Sequence, residues 1–115
     1  MQLTFEDFGQ TRVITMGESR IDAAIAIAFK DKMRELTDGG PKRNILDMTK
    51  VEFIDSSGLG AVVASLKQVD ADSKLELACL SQTVTRVFRL TRMDTVFTIH
   101  ADLQSALDGG MENAV

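Results

Sequence analysis

The chain has 115 residues, 44% of them hydrophobic, which is the length of one domain with apolar mass for a single core. Aromatics are only 5%, with no Trp and no Tyr, so aliphatic side chains must fill that core, which argues against a base- or sugar-stacking surface. A net charge of -4 gives no general attraction to nucleic acid or anionic lipid, no apolar stretch approaches the roughly 18 residues of a membrane span, and the single cysteine, Cys79, can form no internal disulfide.

Strand-forming residues at 3–5 and 12–16 flank Gly9-Gln10, which predicts an opening hairpin. Residues 17–20 read as a loop. Ile25, Phe29, Met33 and Leu36 then recur every three or four positions, as one apolar stripe of a helix does. Asp22 stands ahead of that helix as its expected N-cap, and Gly39-Gly40-Pro41 ends it. Residues 44–48 read as a buried strand. The run 51–54 leads into Asp55-Ser56-Ser57-Gly58-Leu59-Gly60, and a second helix follows with Leu59, Val62, Val63 and Leu66 on one face. Leu75, Leu77 and Cys79 alternate with Glu76 and Ala78 as a strand. Residues 83–91 read as a short helix, 96–99 as a last strand, and Asp102 as the cap of a final helical turn or two. The order ββαβαβαβα predicts an α/β fold, a mostly parallel sheet with an N-terminal antiparallel hairpin. The domain is expected over residues 1–108, with 109–115 as a flexible tail.

The hexapeptide 55–60 holds the most chemical information. It puts two hydroxyls at a helix N-terminus, where backbone N–H groups lack partners and negative charge is favoured. A serine there is either a cap or a place where charge is added and removed. The glycines do not follow the G-x-G-x-x-G spacing of a dinucleotide site, nor a phosphate-cradling loop. A nucleophilic serine needs a base, and His100 is the only histidine; the G-x-S-x-G elbow is missing. One Cys and one His cannot supply a zinc set, so neither metal nor cofactor is expected. Arg86, Arg89 and Arg92 read as a solvated helix edge.

Residues 45–48, 51–54 and the hexapeptide together resemble the signature of STAS domains, and more narrowly the bacterial anti-sigma factor antagonists. The likeness extends to the hairpin, to Ile21-Asp22, to the strand 75–79 and to residues 81–88. It implies a small binding module, not an enzyme. In that family the dephosphorylated protein binds an anti-sigma factor that is also a Ser/Thr kinase, and so frees a sigma factor. The kinase then phosphorylates the serine after the motif aspartate, here Ser56, and a PP2C-type phosphatase resets it. Ser57 is the runner-up acceptor and the expected cap. The resemblance places Asp22, Asp55, Ser56, Ser57, Gly58 and Leu59 at the partner surface of a cytoplasmic protein, monomeric or weakly dimeric. The alternative it implies is a STAS regulator outside sigma control, in secretion, biofilm or stress complexes, or a soluble subunit of a transport system. Two departures stand out. The turn 17–22 is longer than the family's usual one, and Gln82 stands where a proline often follows the serine, which is expected to loosen the third helix.

Overall fold

A computed structural model describes the backbone of residues 1–113 and the side chains through residue 108. The chain opens with strands β1 (Leu3–Phe8) and β2 (Thr11–Met16), paired antiparallel around Gly9, whose φ of +62° is the left-handed turn that glycine adopts without strain. After β3 (Arg20–Ile21) come α1 (Ala26–Thr37), β4 (Arg43–Asp47), β5 (Phe53–Ile54), α2 (Ser56–Gln68), β6 (Lys74–Ala78) and α3 (Gln82–Leu90). A 3-10 turn (Met93–Thr95), β7 (Ile99–His100) and α4 (Leu103–Asn113) complete the described chain. The main sheet has the order β1-β2-β4-β6-β7, parallel throughout except for β1. The expected α/β class and strand–helix alternation are therefore present.

Side-chain alternation in the central strands separates two layers. Ile14, Met16, Leu46, Leu75 and Leu77 face α1, α2 and α3, whose Phe29, Met33, Val62, Val84 and Phe88 are buried among them. Ile45 and Ala78 face the other way and pack under α4 through Ala106, with Leu103 and Leu107 at the margin. The aromatic-poor core is thus mostly aliphatic; its buried aromatics are Phe29, Phe88 and Phe97, and the last two meet edge-on at 6.0 Å.

Several expectations are corrected in detail. β3 and β5 form a second, two-stranded parallel sheet, so the loop expected at 17–20 enters a strand at Arg20. Two-residue strands are too short to show periodicity. The last strand is Ile99–His100, not 96–99; residues 93–95 coil into a 3-10 turn and Val96 is exposed. Helix α4 continues past residue 108 to Asn113, and residues 114–115 of the expected tail lie outside the described residues. Gln82 begins α3, and Ser81 caps it by accepting from the Val84 N–H at 3.2 Å, so the helix start is held without a proline. Among the described residues no helix is long and apolar enough to cross a membrane.

Candidate docking and modification site

Helix α2 begins at the end of β5, and the change from extended to helical backbone is made at Asp55 (φ -101°, ψ -176°). Its Oδ1 accepts from the Gly58 N–H at 2.8 Å, and its carbonyl accepts from the Leu59 N–H at 2.8 Å. The N-cap is therefore Asp55, not Ser56 or Ser57. Both serines are the first residues of the helix proper, exposed to solvent. Their hydroxyls are spared the capping role because the aspartate already satisfies the donor three residues on.

Successive helical residues point about 100° apart, so the two serines face different neighbours. Ser56 lines a groove between α2 and the end of α3, with Leu59, Val63, Lys67, Thr91 and Met93. Ser57 lines another between α2 and α1, with Ala26, Ile27, Lys30 and Ala61. Ile27 is 73% exposed, whereas the larger apolar residues further along α1, Phe29, Met33 and Leu36, are buried. Leu59 is half-buried and packs against the core.

Gly58 is buried, and a Cβ built on it would lie 1.8 Å from the carbonyl oxygen of Ile21. Only glycine lets the first turn of α2 approach β3 so closely. Gly60 has nothing within 4 Å of the same position. The two motif glycines therefore have different physical roles, which the hexapeptide alone does not distinguish.

Asp22 lies beside this helix start but does not cap α1. That helix begins at Ala26 after Ile25, with no side-chain cap. Asp22 instead closes a turn on itself: its Oδ1 accepts from the Ala24 N–H at 3.1 Å and its carbonyl accepts from the Ile25 N–H at 3.1 Å. Its Oδ2 meets the Arg20 Nε at 3.2 Å, and the Arg20 guanidinium lies 4.1 Å from the centre of the Phe53 ring. The second oxygen of Asp55 accepts from the Ala23 N–H at 3.2 Å and joins this turn to α2. Asp22, Asp55 and the two serines are thus brought to one edge of the molecule. Arg20, Ala23 and Phe53 belong to the same edge and carried no signal in the sequence, since each acts through a neighbour across the small sheet.

His100 is turned elsewhere. Its Nε2 lies 2.6 Å from Oε1 of Glu76, which also receives Arg43 in a two-pronged ion pair at 2.9 Å and 2.9 Å. The Arg43 Nη2 further donates to the Ala106 carbonyl of α4 at 2.7 Å. Burial pushes the Glu76 carboxyl up, but Arg43 and His100 outweigh it and hold the group below its ordinary value. His100 therefore serves this ion cluster under α4 and is not a base for Ser56. Glu76 alternates with the core-facing leucines of β6 and is buried on the opposite face, beneath α4.

A family model described as STAS domain matches residues 6–106. The protein of Mycobacterium tuberculosis named anti-sigma-F factor antagonist RsfB is 25% identical over 107 residues, covering 93% of this chain and 87% of its own length. An anti-sigma factor antagonist from Mycobacterium paratuberculosis has a crystal structure that superposes with a TM-score of 0.84 at 22% identity, over 94% of this chain and 92% of the other. The Bacillus cell fate determinant SpoIIAA, solved in a phosphorylated form, superposes with a TM-score of 0.67 at 22% identity, over 93% and 97% of the two chains.

Proposed function

The chain belongs to the STAS domain family, and from that premise we propose that it is an anti-sigma factor antagonist whose docking is switched at Ser56. The unmodified form binds an anti-sigma factor that is also a Ser/Thr kinase, which releases the sigma factor. The kinase transfers the γ-phosphoryl group of ATP to the Ser56 Oγ, the hydroxyl proton leaves, and the partner dissociates. A PP2C-type phosphatase removes the phosphate. The chain itself is a substrate and a binding surface, not a catalyst. Exposure of Ser56 at the first turn of a helix already capped by Asp55 is the observation that carries this reading.

Magnitudes favour a switch that spares the fold. A phosphate adds about -1.5 to -2 charges at pH 7. The helix dipole stabilises it by roughly 0.3–1 kcal/mol, and repulsion from Asp55 next door opposes that gain. At an interface, like-charge juxtaposition costs several kcal/mol, and each ~1.4 kcal/mol is a tenfold loss of affinity. Phosphorylated protein should keep the peak dispersion of its hydrogen–nitrogen correlation spectrum; collapse of that dispersion would count against the switch.

The test of function is direct. Incubation with a recombinant anti-sigma kinase and ATP, followed by mass spectrometry, should place the phosphate on Ser56. Ser56→Ala should abolish labelling and retain kinase binding. Ser56→Asp should weaken binding about tenfold or more, with less charge than a phosphate. Labelling that survives Ser56→Ala and is lost in Ser57→Ala would move the switch to the neighbouring groove.

A further inference from the structure

Asp55 has two tasks and one carboxylate. Oδ1 starts α2 through the Gly58 N–H at 2.8 Å. Oδ2 accepts from the Ala23 N–H at 3.2 Å, across 32 positions of sequence. The helix has no need of the second bond. What that bond holds is the turn 22–25, which is otherwise closed by its own bonds from Ala24 and Ile25 back to Asp22. On its other side the chain is seated by Ile21, whose carbonyl leaves no room for a Cβ at Gly58. The turn is therefore fixed from two directions by residues of the same hexapeptide.

We infer that Asp55 is a positioning residue, one that pins Ala23 and so joins the turn carrying Arg20 and Asp22 to the serines of α2 as a single recognition surface. The inference rests on the proposed docking of a kinase at Ser56. A partner that reads both segments gains affinity from their fixed spacing, because binding does not then have to order the turn. The pin sets the spacing that a partner must match, while the serine sets when it leaves.

Two substitutions remove the same bond from opposite ends. Asp55→Asn keeps a good capping oxygen for Gly58 but turns toward Ala23 an Nδ2 group, which donates and cannot accept from the Ala23 N–H. Ala23→Pro keeps the Asp55 charge and removes the N–H. Ala23 is the second residue of the turn closed by Ile25 onto Asp22, a position where proline fits. With a recombinant anti-sigma kinase that phosphorylates the wild-type chain, each variant should raise KM for the chain roughly tenfold and leave kcat within about twofold. The double variant should be no worse than either single, since both remove one interaction. Exchange of the Ala24 amide with solvent should quicken roughly tenfold in both variants, whereas α2 amides stay protected.

If Ala23→Pro is phosphorylated like wild type and Asp55→Asn is not, the carboxylate touches the partner directly and the pin is refuted. A wild-type chain that the kinase neither binds nor labels counts against the proposed function alone. The pin is then judged by amide exchange, and unchanged exchange at Ala24 in both variants overturns it.

Discussion

Gly58→Ala is expected to lower the melting temperature by about 10 °C or more, the equivalent of roughly 2–3 kcal/mol in a domain of this size. The cause is a collision between fixed parts. The added methyl would sit 1.8 Å from the Ile21 carbonyl oxygen and 2.6 Å from its carbon, and neither is the free end of a side chain that can swing aside. Ile21 is buried and its carbonyl accepts from the Asp55 N–H at 3.3 Å, so backing away would break the link between β3 and the start of α2. Gly60→Ala is the matched control. Its Cβ meets nothing within 4 Å, and alanine is the better helix former, so stability should hold or rise by about 0.5–1 kcal/mol. Thermal melts of both variants by circular dichroism decide the matter; equal melting temperatures would show that the close approach is not what the glycine is for.

Arg43→Met is expected to cost about 3 kcal/mol at neutral pH, because it leaves Glu76 buried without its two-pronged partner and removes the bond that reaches the Ala106 carbonyl of α4. The two side chains are 18% and 10% exposed, so water screens the loss little. The sign of the pH dependence follows from the direction of the shift. Glu76 is held below its ordinary value of 4.5, so its ion pair contributes in full above that value and is lost as the pH falls through the lowered one. Wild type should therefore lose stability below about pH 4.5, a window shared with Asp7 and Asp102, whose carboxyls are also held low. In the variant Glu76 keeps its burial without the arginine, which favours the neutral acid. The deficit of the variant should then be largest near pH 7 and shrink in acid. Urea melts at pH 7 and pH 4 would measure it, and a deficit of the same size at both would refute the assignment to Glu76.

Much of this architecture was legible from side-chain period alone. Of the stripe Ile25, Phe29, Met33 and Leu36, the last three are the buried face of α1 and Ile25 is half-buried at its N-cap; the alternation around Leu75 and Leu77 is β6. The hexapeptide does open α2, and both of its serines are exposed. The misreadings share a physical origin. Asp and Ser are near-equal caps, so composition could not rank Asp55 above Ser57, or tell that Asp22 would close a turn and leave α1 to start at Ala26. The three-residue spacing from Asp55 to Gly58 was the available signal, since a cap bonds the N–H two or three residues on. The small β3–β5 sheet and the cluster of Arg43, Glu76 and His100 were illegible because long-range contacts, not local preference, create them. An alternating strand predicts which side chains share a face, but not whether a later helix will cover it.

The quarter-turn between Ser56 and Ser57 ties chemistry to direction of approach. An enzyme engaging the first hydroxyl must come in over α3, and one engaging the second must come in over α1. Under the proposed switch, the position of a phosphate would thus be a footprint of the docked pose. Adjacent acceptors, which in a floppy peptide would be interchangeable, would under the proposed switch report two distinct quaternary arrangements.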